Sequence, residues 1–396
     1  MNGAELGARI RRLRLASGLG QVEFAALLNI GSGSISMIEN GRTPVAEDLL
    51  QSIGNVLGCS VDFLRKPDRS PLVSQPLLRA YADAPKKAVD RQVADASIVT
   101  EVSERLGLKA IPDALPTWAG DLADEADIEQ FAADVRVAAQ VEEGAVVGNV
   151  IRAAERLGCL VLPMPDELGR HLGMSTRLDS TPVICVSRAS AETDRRVPGD
   201  RQRFTVAHEL GHLGMHGHLG PPQSAQEAAI VERQAHYFAG AFLLPGDALL
   251  EELSSAGGRV TLQTLASLKE RWGVAIKALV MRLRNLEVID ADHARSLYKQ
   301  ISARGWNKSE PVVVGPESAI WLERALAKRF AGQSNPLLAA AREAGLETAH
   351  FQRWTDWTPT ATEERIAQVL EMRPRSATRA RVPRRDGVVH LQDSDE

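Results

Sequence analysis

Three histidines fall four residues apart in RFTVAHELGHLGMH, residues 203–216, and a glutamate follows the first of them. Residues four apart share one face of an α-helix, so His208 and His212 can present both imidazoles to one metal ion. Glu209 is turned about 100° from His208 around the helix axis. That puts it near the open position of the ion, where a general base for a metal-activated water belongs. HExxH alone is short enough to arise by chance, so the surroundings decide. Phe204, Val206, Leu210, Leu213 and Met215 flank the motif. A helix at least half buried cannot carry two imidazoles and a carboxylate without cost unless something pairs them. A zinc ion, Zn2+, would.

Zinc in a catalytic site needs a third protein ligand and keeps its fourth position for water. EAAIVERQAHYFAGAFLLP, residues 227–245, offers Glu227, Glu232 and His236. Glu232 stands first, because it sits among Ile230, Val231, Ala235, Phe238 and Ala239, where a charge needs a partner. His236 lies one turn later on the same face and suits either a ligand or a supporting contact to one. Glu227 comes last, since a carboxylate at a helix start simply suits the macrodipole. His216 continues the four-residue row, but HGHLG reads as a helix end, so His216 and His218 are expected to face solvent or cap the helix. Tyr237 is read as a packing residue.

These side chains need two helices, one carrying the motif and one from about Ala225 to Leu244, closed by Pro245. Upstream, Ile128 to Leu157 reads as one long amphipathic stretch, while CLVLPMP and PVICVS read as strands. PVICVS is expected to be an edge strand on which an extended peptide could pair. Leu262 to Leu286 reads as two helices split at Gly273, their apolar spacing explained by core packing. GWNKSEPVVVGPESAIW reads as a turn, a strand at PVVV and the start of a further helix.

The paired motifs, RFTVAHELGHLGMH and ERQAHYFAGAFLLP, resemble the ImmA/IrrE family of zinc metallopeptidases over roughly residues 130–250. The resemblance implies a zincin-like fold of gluzincin type, with His208, His212 and Glu232 as ligands and Glu209 as general base. Two positions depart from the family pattern. His236 stands where asparagine is usual, a change beside the ligands, and Gly214 replaces a larger apolar residue.

Residues 6–64 have the punctuation of a compact helical bundle, with breaks at SGLG, NIGSG and NGRTP. Val22, Phe24, Ala25 and Leu28 are read as one buried helix face, and Ile35 and Ile38 as part of the next. This stretch resembles the Cro/CI-type (Xre) helix-turn-helix. By that resemblance Gln21 would touch phosphate, Ser32, Ser34 and Ser36 the bases, and Arg42 the DNA as well. Arg9, Arg11, Arg12 and Arg14 form the only dense basic cluster, in a segment with seven Lys/Arg against six Asp/Glu over residues 1–66. The same bundle could instead serve as a dimerisation module.

Hydrophobic residues at 44% and charged residues at 25% of 396 are ordinary globular proportions, and that length calls for more than one domain. A net charge of −4 leaves no global field for nucleic acid, so any DNA contact must be local. Cys59, Cys159 and Cys185 form no CxxC pair, which argues against a disulfide framework or thiolate cage. No signal-peptide core and no bilayer-long apolar run is visible, so no membrane partner and a cytoplasmic location are expected.

The expected fold is mostly α, α+β and multidomain: a five-helix-type helix-turn-helix bundle at 6–64 and a linker with connecting helices at 65–127. A zincin-like domain with a small sheet follows at 128–250, then a helical region with a helix-turn-helix-like subdomain at 251–372 and a disordered arginine-rich tail at 373–396. The expected function is a DNA-binding zinc endopeptidase that cleaves a regulatory protein, a repressor or the product of a neighbouring gene. Alternatives are a regulator with a non-proteolytic zinc sensor, or a toxin or effector of a toxin–antitoxin or phage-related module. Double-stranded operator DNA is the expected partner, and a homodimer suits readers of this type.

Overall fold

A computed structural model describes residues 3–67, 73, 85–109, 111–164, 171–189, 197–217, 219–220 and 222–358. Most of the expected linker, His218 and the arginine-rich tail lie outside the described residues.

The fold is mostly α with one small sheet, and five short helices open it: α1 (Gly3–Ala16), α2 (Gln21–Leu27), α3 (Ser32–Glu39), α4 (Glu47–Leu57) and α5 (Val61–Arg65). Gly41, at φ 66°, stops α3 in the left-handed conformation that ENG suggests. Phe24, Ala25, Ile35 and Ile38 are buried as expected, but Val22 is 72% exposed. The helical periodicity is right and the face is shifted: Val22 precedes the stripe that Phe24 and Ala25 place inward.

The basic cluster of α1 also turns out differently. Arg9, Arg12 and Arg14 are buried, and only Arg11 faces solvent. The reason is α6 (Lys86–Arg105), which packs along α1 and brings the fully buried Glu101 to Arg9 (2.9 Å), to Arg12 and to its own Arg105 (2.7 Å). Arg14 pairs with Glu39 of α3 (2.5 Å).

The expected helix from Ile128 to Leu157 is two helices, α7 (Glu125–Ala138) and α8 (Val150–Arg156). Positive φ at Gln140 and Gly144 breaks the run, and the Asn149 side chain restarts it by accepting from the Arg152 amide. Then come β1 (Leu160–Met164), β2 (Gly173–Leu178) and β3 (Thr181–Ser187). The sheet order is β1-β3-β2, with β3 parallel to β1 and antiparallel to β2. PVICVS is therefore the central strand, not an edge; the edges are β1 and β2, and β2, GMSTRL, lacks the apolar run that marks the other two.

Alternate residues of this sheet enter two different cores. Val161, Ile184 and Val186 face the core built by α7 and α8 together with α9 (Gly199–Gly211), α10 (Ala225–Leu243), α11 (Gly246–Ser255), α12 (Leu262–Trp272), α13 (Ile276–Asn285) and α14 (Ala291–Ala303). Leu160, Leu162, Met174, Leu178, Val183 and Cys185 face the core of α1–α6. Burial on both faces explains why β1 and β3 read as continuous apolar runs.

The helices α15 (Trp321–Arg329), α16 (Pro336–Ala344) and α17 (Thr348–Thr355) return to the N-terminal core. The Ser60 amide donates to the Gly345 carbonyl at 2.8 Å, and the Glu347 amide to that of Gly58 at 2.8 Å. The PVVV segment forms no strand, and Val313 is 54% exposed. This stretch instead lays carboxylates over helix starts. Glu310 accepts from the Ile276 amide (3.0 Å), and Glu317 from those of Val150 (2.7 Å) and Ile151 (3.0 Å).

The three cysteines are free and buried, and burial pushes the Cys59 and Cys159 thiols up to about 12. No helix among the described residues is long and apolar enough to cross a membrane.

One buried carboxylate facing three guanidiniums makes a sharp test. Glu101→Ala leaves Arg9 buried without its ion pair, so unfolding free energy should fall by about 3–5 kcal/mol, measured as an earlier urea midpoint. An unchanged midpoint would mean that the cluster does not hold α6 to α1.

Candidate metal centre

The motif helix α9 begins after Pro198 and is fixed by Arg203, whose guanidinium pairs with Glu317 and donates to the Val147 carbonyl at 2.6 Å. Beyond Gly211 the chain makes a π-helical turn, His212–His216, a local widening that often marks functional positions. The facing helix α10 is started by Ser224, which accepts from the Glu227 amide (3.1 Å), while Glu227 accepts from Gln223 (2.6 Å). Glu227 is thus an exposed capping residue.

Between the two helices, His208 Nε2 and His212 Nε2 lie 3.0 Å apart. The Glu232 carboxylate stands 3.4 Å from each of them. Donors about 2.0–2.1 Å from a tetrahedral ion are roughly 3.3 Å from one another; Oε2 faces His208 and Oε1 faces His212 at separations of that size. His236 enters as well: its ring centroid is 4.6 Å from that of His208, and its ligand atom lies within 4.8 Å of those of His208 and Glu232. Two triads therefore share His208 and Glu232, one completed by His212, whose Nε2 is 3.0 Å from that of His208, and one by His236.

Protonation states agree with that donor set. Burial, with the charges of His212 and His236, pushes the His208 imidazole down to about 3 against the pull of Glu232. For Glu232, burial works upward, but its contacts with the His208 and His212 rings outweigh it and hold the carboxyl well below the usual range. A neutral imidazole and an ionised carboxylate each offer a lone pair. The residues present fit a divalent transition-metal ion.

Glu209 is buried beside this group, and its Oε2 accepts from Ser175 Oγ of β2 at 2.6 Å. Burial pushes its carboxyl up to about 7; Glu232 adds to the rise, and His212 and the Ser175 hydrogen bond oppose it. Oε1 faces Gly173, where a Cβ would sit 3.3 Å from it and 2.5 Å from Thr205 Cγ2. That position needs glycine for β2 to lie so close to α9.

Neither Ser175 nor His216 was anticipated in these roles. Ser175 lies on the strand that the apolar pattern does not mark. His216 was expected at a solvent-facing helix end, yet it is fully buried. The π-turn folds it back onto His212, Nδ1 to Nδ1 at 3.1 Å, with Nε2 3.2 Å from Gln234 Oε1. Tyr237 packs away from the site, near Arg282.

Of the expected DNA-facing residues, Ser32, Ser34 and Arg42 are exposed and Ser36 is half-buried. The Gln21 amide donates to Glu39 Oε2 at 2.9 Å, tying α2 to α3.

With this geometry in hand, residues 154–284 match the family described as the IrrE N-terminal-like domain, and residues 5–65 match that described as a helix-turn-helix domain. The chain carries both domains. It joins a helix-turn-helix module to a peptidase-like one, and the IrrE-type match runs from α8 to α13, taking in the whole candidate centre. No curated protein matches the chain. One solved structure, the crystal structure of ComR from Streptococcus suis, matches at 13% identity over 78% of this chain and 97% of that one. Its TM-score of 0.16 is too low for the likeness to carry an argument.

Gly214 now has a reason. A Cβ there would sit 2.8 Å from the Phe131 ring, which is itself held by Trp118 (centroids 5.2 Å apart) and Phe238 (5.7 Å). Gly214→Ala should therefore destabilise the metal-free chain by about 1–3 kcal/mol. Thermal unfolding checks this, and an unchanged melt would show that Phe131 can move aside.

Proposed function

We propose that the chain is a DNA-binding zinc endopeptidase that cleaves a regulatory protein, a repressor, and so controls transcription. The observation that carries this is the convergence of His208, His212 and Glu232 with Glu209 buried next to them. Those three residues would hold Zn2+, with His236 beside them. Bound there, zinc supplies a Lewis acid that polarises a peptide carbonyl and acidifies water.

The chain's own residues supply the rest. Glu209 takes the proton at Oε1, the oxygen next to the bare Gly173, while Ser175 Oγ donates to Oε2 and fixes the carboxylate plane. The same carboxyl then returns the proton to the leaving amine. Substrate binding is assigned to β2. Among the described residues it pairs along one side with β3 and is bridged on the other only at Leu178, to Val73. An extended peptide added to that edge would run past Ser175 and Glu209.

The helix-turn-helix places the peptidase at its operator. With Arg9, Arg12 and Arg14 turned inward, phosphate contact falls to few cations, Arg11 and Arg42 among them.

Metal content is the first test. The wild type should bind about one zinc per chain, Glu232→Ala should lose it, and Glu209→Gln and His236→Asn should keep it. Loss in His236→Asn would make His236 the ligand instead. Activity is read by labelling new protein N-termini in cells expressing wild type or Glu209→Gln. New termini in a DNA-binding regulator, absent from the variant, are expected; no difference while both retain zinc would leave a zinc-binding regulator that cuts nothing.

For DNA, Arg42→Ala should weaken binding across sequences and reduce the salt slope by about 1. An unchanged slope would remove Arg42 from the interface.

A further inference from the structure

The buried chain of side chains behind His212 has a defined direction. It starts at Gln234, on α10, whose Nε2 donates to the Leu122 carbonyl at 2.7 Å. A backbone carbonyl only accepts, so this bond fixes which end of the amide is nitrogen and turns Oε1 toward His216. That oxygen also only accepts, so His216 Nε2, 3.2 Å away, must carry a hydrogen. A neutral imidazole has one ring proton, and His216 Nδ1 is then an acceptor. His212 Nδ1 stands 3.1 Å from it and donates. The remaining lone pair of His212 is on Nε2, the nitrogen that faces His208 at 3.0 Å and Glu232 at 3.4 Å.

We infer that His216 is a positioning residue. Keyed by Gln234 and the Leu122 carbonyl, it holds His212 in the one tautomer that can offer Nε2 to a metal ion. The inference rests on the reading of the centre as a metal site. It also gives the π-helical turn a purpose, since that turn is what carries His216 inward, 0% exposed, onto the far side of the His212 ring.

The two imidazoles are unequal in this respect. His208 Nδ1 is buried with no hydrogen-bond partner, so nothing on that side selects its tautomer. His212 is the ligand set in advance, and His208 is the one that adjusts. Outer contacts of this kind typically change metal affinity by about 10–100-fold.

The test uses the full-length chain. In the metal-free protein with 15N-labelled histidine, long-range 15N–1H couplings should show His212 protonated at Nδ1 and His216 at Nε2. The opposite tautomer at either ring, or a doubly protonated His216, would overturn the inference. Zinc affinity, measured by chelator competition, should fall about 10–100-fold in His216→Phe and recover in His216→Gln, whose side-chain oxygen can accept from His212 Nδ1–H.

Gln234→Leu guards against a His216 variant that fails to fold. It removes the key but not the ring, and should mix the His216 tautomers and weaken zinc binding. Zinc bound equally by wild type, His216→Phe and Gln234→Leu would overturn the positioning role alone. A wild type that takes up no zinc would overturn the metal-centre reading and this role with it.

Discussion

The close approach of α9 and α10 is the constraint on which the rest depends. Glycine and alanine make it possible. A Cβ at Gly211 would meet the Phe238 ring at 2.8 Å, Ala207 and Ala239 are fully buried in the same core, and Ala235 is fully buried. Helices packed this tightly place the Glu232 carboxylate 3.4 Å from two imidazole nitrogens, a group that burial alone would drive toward its neutral form. The carboxylate stays ionised because the imidazoles are there, and the imidazoles lie inside because the apolar flanks of the motif pull the helix in. Packing and chemistry therefore act on the same contact: a larger residue at Gly211 would push apart the helices whose separation sets the donor geometry.

The sheet is the second shared element. Side chains of β2 alternate between the two cores, with Gly173 and Ser175 against α9 and Met174 and Leu178 in the core of the helix-turn-helix. One strand thus supplies the hydrogen bond to Glu209 and apolar side chains to the core that α6 shares with the N-terminal helices. Long-range capping ties the same layers together. Glu317 covers the start of α8, and from within α8 Glu155 accepts from the Ile320 and Trp321 amides (2.9 and 2.7 Å) at the start of α15. Each carboxylate satisfies amides that a helix start leaves without intrahelical partners.

What could be read from the sequence follows from how local the signal is. Helical periodicity places His208, His212 and Glu209 on one segment, and a charge in an apolar helix singles out Glu232; both arguments need only a few neighbouring residues. The strands β1 and β3 are legible for the same reason. GMSTRL is not, because its strand character comes from pairing with β3 and from a glycine required by a helix some thirty residues away. The break after α7 was hidden by alanine and valine that continue a helical composition through positions where Gln140 and Gly144 turn the backbone left-handed. His216 was misread because the four-residue rule assumes an α-helix, and a π-turn carries the next histidine to a different place.

Charge shows the same limit most plainly. Four arginines within six residues of α1 look like a DNA-binding patch, since like charges on a short segment are usually solvated together. That inference holds only for a helix with one covered face. Here α3 and α6 cover α1 on two sides, and each brings a carboxylate, Glu39 and Glu101, to the guanidiniums it buries. Lys269 with Asp200 and Glu310, Arg203 with Glu317, and Arg282 with Glu129 repeat the arrangement elsewhere. A cation in this chain is more informative about which helices touch than about what the surface binds. The exposed surface of α1–α3 is left with serines on α3, Arg11, and apolar groups at Val22, Leu27 and Met37, with Arg42 just beyond α3. A surface so poor in free cations offers little counterion release to a nucleic acid.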